Sequence, residues 1–390
     1  MRIAILHNFY RSSVPSGENE VVQREFESLI ESGISSRLVK LESDSFLNMK
    51  FNQKLQLFFR KILFGRDSIS ESDWTEIYRS DVIHIHNTFP LIGYDILKKV
   101  KKLSIPTVLT IHNARLSCIN GTHLYRNQSC FSCSRFKSSL PGIFRRCYGN
   151  SFWQSFAFSL YMRKLRKNFR FVEKFFVLNS YTRSHLLRMG IEEHRIVQKV
   201  TPTAINLMGE VSSENIVFYA GRISEEKGIN LLLKSWVNSE LYKNGWKLYV
   251  AGSGNLEKVI EWRELVSFGI VHLGKIGPLE VEKFVRKSKL IVVPSLGYEG
   301  FPSMISLASS YGKRIFVTNA EYFQQFSDLP WINLVDANTN AWTLAFNSLL
   351  ELVDDFRSEV AILWWKKNAS NDSNLSTLMS TYKEVVDNVE

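Results

Sequence analysis

The sequence predicts an α/β protein built from two doubly wound parallel-sheet domains that face each other across a cleft. Three observations carry this expectation. The 390 residues suit two domains of ordinary size, each able to bury its own core. Both halves alternate short apolar runs with helical patterns, the signature of crossover connections between parallel strands. Between the halves, Thr201-Pro202-Thr203 and the stretch from Gly209 to Glu214 carry turn and linker residues. In the first half the expected strands are Ile3 to His7, Ser36 to Leu41, Val82 to His86, Thr107 to Ile111 and Phe171 to Leu178. Helices fill the gaps, notably Glu20 to Glu31 closed by Gly33, and Ser180 to Met189 closed by Gly190. The second series runs through Asn215 to Ala220, Lys247 to Ala251, Ile270 to Leu273, Leu290 to Val293 and Arg314 to Thr318. The expected division is therefore a first domain at 1–200 with a cysteine-containing insertion at 114–150, a linker at 201–214 and a second domain at 215–370. A terminal helix follows at 371–390, with apolar positions Leu375, Leu378, Met379, Tyr382, Val385 and Val386.

Charge is distributed unevenly over these units. The net charge is +11, yet residues 1 to 200 hold 31 Lys and Arg against 16 Asp and Glu, while residues 201 to 390 hold 18 against 22. Residues 101 to 200 are the extreme, with 18 basic and 3 acidic side chains. There the charges interleave with aromatics, from Phe152-Trp153, Phe156 and Phe158 to Tyr161 and the run Arg163-Lys164-Leu165-Arg166-Lys167. A basic, aromatic helix face suits an anionic membrane surface; the same pattern also describes a core helix with a solvated charged side. No nucleic-acid-binding motif accompanies it, so nucleic acid is not the expected partner. No stretch approaches the roughly 20 apolar residues that span a bilayer, and the chain starts directly in a strand pattern. The expected location is cytoplasmic, peripheral at the cytoplasmic face of the inner membrane.

Two motifs sit at the carboxyl ends of second-domain strands, where open α/β sheets bind ligands. Residues 221 to 228 read Gly-Arg-Ile-Ser-Glu-Glu-Lys-Gly, and Glu299-Gly300-Phe301-Pro302 follows the strand Leu290 to Val293. Arg222 can grip two phosphate oxygens at once and Lys227 supplies a movable point charge, which together answer a diphosphate. Glu299 can accept sugar hydroxyls, and Gly300 lets the backbone approach a ligand near a helix start. Gly252-Ser253-Gly254 lacks the third glycine and acidic partner of a dinucleotide fingerprint and reads as a tight βα turn.

With Met1-Arg2-Ile3-Ala4-Ile5-Leu6-His7, Ser16-Gly17-Glu18, Asp81-Val82-Ile83-His84-Ile85-His86 and Leu109-Thr110-Ile111-His112-Asn113, these motifs make nearly the whole chain resemble the retaining glycosyltransferases of family 4. That resemblance implies the glycosyltransferase B fold of two Rossmann-like domains, with the terminal helix crossing back onto the first. It implies that Arg222 and Lys227 hold the donor diphosphate, that Glu299 contacts the donor sugar, and that His112 sits beside the reacting centre. Gly17, Gly300, Phe301 and Pro302 join the donor site on the same ground. The implied activity is transfer of a sugar from a nucleotide-diphosphate sugar to a glycan or a polyprenyl- or lipid-linked acceptor, as in bacterial surface polysaccharide synthesis. No catalytic metal is implied. The family pattern places a second Glu where this chain has Leu307, which cannot accept a hydroxyl proton; Ser303, Ser306 and Ser309 are neighbours, and Ser306 is the expected substitute. A catalytically degenerate binding or scaffold subunit is the alternative that Leu307 raises. Relatives also more often carry two glycines where Ser16-Gly17 stands.

Four cysteines, Cys118, Cys130, Cys133 and Cys147, fall within 30 residues. In a reducing compartment this clustering suggests four thiolates on a structural zinc ion, with unligated thiols or a redox pair as the alternatives. His84 and His86 share one face of a strand and are expected to line the cleft or pack in the core, with a metal pair as the alternative.

Overall fold

The computed structural model describes residues 1–10, 17–46, 62, 64–206, 211–351 and 357–388. Two six-stranded sheets, both fully parallel, form the framework. The strands of the first are β1 (Arg2–Phe9), β2 (Ser35–Glu42), β3 (Val82–Ile85), β4 (Thr107–Ile111), β7 (Lys174–Val177) and β8 (Ile196–Gln198), in the order β2-β1-β3-β4-β7-β8. The second sheet runs β11-β10-β9-β12-β13-β14, from β9 (Glu214–Ala220), β10 (Lys247–Ala251), β11 (Ile270–Gly274), β12 (Ser288–Val293), β13 (Arg314–Thr318) and β14 (Ile332–Val335). In each sheet the order reverses beside the first strand, which opens a crevice at the carboxyl ends. A short antiparallel hairpin, β5 (Leu124–Tyr125) with β6 (Gln128–Ser129), marks the cysteine-bearing insertion.

Central strands are buried on both faces because helices cover both: β3 and β4 are buried at every position. Edge strands are mixed: the Ser35–Glu42 strand combines buried, half-buried and exposed positions. The Ile196–Gln198 and Ile332–Val335 strands escape sequence reading because each has only a few residues, with an exposed polar position within it.

The helix Asn371–Asp387 returns to the first sheet, where Leu378, Tyr382 and Val385 pack with Ile3, Ile5 and Val22. The stretch between the sheets is held as well as crossed. Thr201 accepts from Ser306 Oγ at 2.7 Å and donates its own hydroxyl to the Phe301 carbonyl at 3.2 Å. Residues 207–210 of the expected linker, and Ser16 of the glycine-containing motif, lie outside the described residues. No helix among the described residues is long and apolar enough to cross a membrane.

Candidate functional site

A cleft of about 590 Å³ opens between the two sheets, and it gathers most of the residues singled out in the sequence. Gly17, Glu20 and Arg24 form the first-domain wall from the helix Gly17–Glu31. Arg222, Lys227, Glu299, Pro302 and Leu307 belong to the opposite wall. Local structure explains how they meet. After β9, the chain turns through Glu225–Lys227 and reaches Gly228 at φ 70°, a left-handed conformation. A side chain at Gly228 would have its Cβ 1.9 Å from the Pro294 carbonyl, so only glycine lets this loop lie on the end of β12. That contact brings Lys227 Nζ to 2.8 Å from Glu299 Oε2. The Ser295 hydroxyl donates to the other carboxylate oxygen, fixing the plane of Glu299.

Arg222 is oriented from two sides: its Nη1 donates to Glu226 Oε1 at 3.1 Å, and the Tyr219 hydroxyl donates to its carbonyl at 2.7 Å. Burial, with Glu299 and Glu226 nearby, holds the Tyr219 phenol well above its ordinary range, so it stays a neutral donor. The loop after β10 is laced to the same segment, with Gly221 N donating to Ala251 O and Ile223 N to Ser253 O, both at 3.0 Å. Gly252-Ser253-Gly254 is therefore a structural turn that supports the arginine loop, and its first two residues also line the cleft.

Gly300 answers a different demand. Its missing Cβ would lie 2.8 Å from the His112 carbonyl, so the first domain presses directly on the Glu299 loop. Asn179, the N-cap of the helix Ser180–Arg188, reinforces this junction by donating to the carbonyls of Glu299 at 3.0 Å and Gly300 at 2.9 Å. Nothing in the local sequence marks Asn179 as a loop anchor, since its partners are remote.

Several expectations need correction. Ser306 is fully buried and its hydroxyl is committed to Thr201, away from the cleft. On the helix Ser303–Ser310, residues 303, 304 and 307 face the cleft, and 306 turns toward the interdomain stretch. Leu307 thus occupies the wall itself; Ser303 lines the cleft with it, and Ser306 does not. Phe301 packs in the core against Phe326 and Trp364 rather than lining the cleft. His112 lies at the end of β4, but its ring points back into the first domain, with Nε2 2.9 Å from His86 Nδ1. It reaches the domain junction through its carbonyl.

Behind His112 lies a buried polar network. His86 Nε2 is 3.6 Å from Glu25 Oε2, and Glu25 is paired with Lys199. His84 spends one ring nitrogen on Tyr382 and the other on Thr110, both at 2.7 Å. Burial first, then neighbouring imidazoles and Lys199, holds His84, His86 and His112 well below the usual histidine range, so all three are neutral. Glu25, His84 and His86 are the only three metal-ligating side chains among the described residues whose atoms lie within 4.8 Å of one another. With both nitrogens of His84 engaged and an ammonium already on Glu25, the trio is a polar core rather than a cation site. The four cysteines form no such group. Cys118 donates to Asn120 Oδ1 at 2.8 Å and Cys130 accepts from Arg145 Nη1 at 3.1 Å, while burial, with the other three thiols nearby, pushes the Cys147 thiol up to about 11. As placed, these thiols do not close into the compact group that a four-thiolate zinc site requires.

Two further carboxyl groups stand out: Glu282, which no sequence motif marks, and Glu18, which the sequence marks only as part of the Ser16-Gly17-Glu18 motif. Glu282, buried on the helix Pro278–Lys287, lines the cleft and accepts from Asn206 N at 3.0 Å and from the Tyr311 hydroxyl. Glu18 accepts from Tyr10 OH at 3.1 Å; burial pushes its pKa up to about 7, with Arg115 and hydrogen bonds from Tyr10, Asn113 and Asn87 opposing. Helical periodicity could have placed Glu282 facing the cleft; the motif marks Glu18 but not its buried setting, because its neighbours come from three other segments.

The basic helix Phe152–Lys167 divides along its length. Phe158, Tyr161, Met162 and Leu165 are core, whereas Trp153 and Phe156 are exposed beside Phe136, Leu140 and Phe144 of the insertion. Arg166 is drawn inward to the Leu116 carbonyl, so the charged run is not one solvated stripe.

Residues 214–351 match the family described as glycosyl transferases group 1. No curated protein matches the chain. Among solved structures, the pneumococcal O-GlcNAc transferase GtfA in complex with UDP and GlcNAc superimposes with a TM-score of 0.65 at 10% identity, covering 99% of each chain. HepE of Anabaena in complex with UDP-glucose gives 0.59 at 12% identity, over 98% of this chain and 100% of that one. The lipopolysaccharide outer core galactosyltransferase WaaB, in its apo form, gives 0.60 at 12% identity with the same coverage. This chain carries a group 1 glycosyltransferase domain as the second half of a two-domain glycosyltransferase B fold.

Proposed function

We propose that the protein is a retaining glycosyltransferase of family 4 that moves a sugar from a nucleotide-diphosphate donor to a glycan or lipid-linked acceptor during surface polysaccharide assembly. The observation that carries this reading is the convergence of Arg222, Lys227 and Glu299 on one cleft wall, inside the matched domain. UDP and UDP-glucose in the structural neighbours supply the class of donor. Arg222 and Lys227 neutralise charge that develops on the departing diphosphate, a task assigned to these side chains rather than to a divalent cation. Glu299, steadied by Ser295, accepts hydroxyls of the sugar and releases Lys227 toward the phosphates. In front-face transfer the acceptor oxygen bonds to the anomeric carbon as the bond to the phosphate oxygen breaks, and that phosphate oxygen takes the acceptor proton. No protein base is then required, and His112, neutral and directed away from the cleft, helps by seating the Glu299 loop.

The exposed Phe136, Phe144 and Trp153, set in a basic first domain, suit peripheral attachment to an anionic membrane on the cytoplasmic side. Leu307 on the cleft wall favours one competing reading, a binding subunit without turnover. Turnover decides between them: release of nucleoside diphosphate with transfer to a lipid-extracted acceptor, the product's anomeric configuration read by proton NMR. Retention of the donor's configuration is expected. An inverted product contradicts the retaining mechanism, and donor binding with no turnover on any acceptor favours the binding subunit.

A further inference from the structure

A second cavity, of about 160 Å³, lies in the first domain beneath the cysteine-bearing insertion, and the transfer chemistry above does not use it. Arg115, Lys137, Arg166, His185 and Arg188 contribute to its walls, together with five serines and, among the described residues, no carboxylate. Nor can the adjoining chain supply one, because residues 96 to 172 contain neither Asp nor Glu. One donor remains unused: among the described residues, Arg166 Nε is shielded from solvent without a hydrogen-bond partner, while His185 Nδ1, also shielded, is the acceptor nitrogen of a ring that burial keeps neutral. Both side chains are held by the same carbonyl, since Arg166 Nη2 donates to Leu116 O and His185 Nε2 lies 3.3 Å from it. Arg115 has Glu18 nearby, but the lining offers Lys137, Arg166 and Arg188 no counter-charge, which is costly in a half-buried hollow, and so is a shielded donor without an acceptor. The same cations disfavour a metal ion beside Cys118 and Cys133, which also line the hollow. One ligand class answers both the cations and the unused Arg166 donor, an anion rich in acceptor oxygens. The volume has room for it, given roughly 30 Å³ for a single water.

Position adds a role. Arg115, Leu116 and Met162 line both this cavity and the small pocket that holds His86 and His112, so its occupant lies next to the domain junction. On the outer side stand the exposed Phe136 (68%), Phe144 (71%) and Trp153 (73%). We propose that this cavity seats a phosphate or diphosphate group of the acceptor. The inference rests on the transferase reading for naming the ligand an acceptor; the anion site itself stands on its own walls.

The test is calorimetric titration of the full chain with inorganic pyrophosphate, in a background where Arg222→Ala and Lys227→Ala silence the donor cleft. Binding is expected to persist in that background and to weaken at least tenfold with Arg166→Gln. Because Arg166 also holds the Leu116 carbonyl, Lys137→Ser with Arg188→Ser serves as a second variant; both side chains are exposed, and an unchanged thermal midpoint confirms the fold. Loss of pyrophosphate binding in the donor-silenced background, or undiminished binding in both cavity variants, overturns the proposal. Farnesyl diphosphate separates the sources. If it binds at least tenfold tighter than pyrophosphate, and Phe144→Ser with Trp153→Ser removes the gain, the phosphate belongs to a lipid; equal binding assigns the site to a water-soluble phosphate. Failure of the donor reading shows separately, as absence of nucleotide-sugar binding to wild type.

Discussion

The carboxyl ends of the two sheets treat charge in opposite ways. In the second domain, Lys227 and Glu299 meet on the wall of an open cleft, where a ligand can replace either partner. At the corresponding end of the first sheet, Glu25 and Lys199 meet in a dry core among His84 and His86, and nothing from solvent reaches them. Similar frameworks thus hold one ion pair open to a cleft and one enclosed in the core. The lesson is that a charged pair at a strand end says little until its access to solvent is known.

Removing half of each pair tests this contrast. Glu25→Ala strands the Lys199 ammonium in the core and is expected to cost roughly 3–5 kcal/mol of stability, measured by urea unfolding. A loss below about 1 kcal/mol would show that water reaches the network. Lys227→Ala is the converse: turnover is expected to fall about 10²- to 10³-fold, while stability moves by less than about 1 kcal/mol. Equal effects of both variants on stability would erase the distinction.

Glu18 sharpens the comparison, because the first domain holds one carboxyl near neutrality. Its pKa is raised from 4.5 to about 7, so its contribution to stability is complete below about pH 4.5 and is lost as pH rises toward 7. Glu18→Gln should therefore leave acid stability unchanged and stabilise the protein above pH 7 by at most about 3 kcal/mol, read as a difference between thermal unfolding curves across pH. A constant offset at every pH would contradict the assignment. The smallest effect is expected from Leu307→Glu, which restores an acceptor on the cleft wall. It should tighten nucleotide-sugar binding by about threefold to tenfold, roughly 1 kcal/mol, in calorimetry; weaker binding would mean that the wall has adapted to leucine.

The second domain was the more legible half. The Lys247–Ala251 and Arg314–Thr318 strands fall where periodicity puts them, because a buried strand announces itself as a short apolar run between turn residues. Arg222, Lys227 and Glu299 were legible as well, since the loop that carries each one sits directly after its strand. Ser306 was misplaced because nearness in sequence is not nearness on a helix: one residue of rotation separates the cleft face from the interdomain face. The first domain's network was hidden for a different reason. The like-facing pair His84 and His86 could be read from strand period, but their partners Glu25, Thr110, Lys199 and Tyr382 come from four separate segments. The four cysteines show the limit of spacing, which brings thiols into one insertion without setting their distances.

The most direct measurement is a calorimetric screen of the purified protein against UDP-, GDP-, ADP- and dTDP-sugars, with Arg222→Ala alongside. The account predicts that one nucleotide class binds wild type and that its affinity drops at least tenfold in the variant. Binding that ignores Arg222, or no binding to any donor, would contradict the assignment of the interdomain cleft as the nucleotide-sugar site.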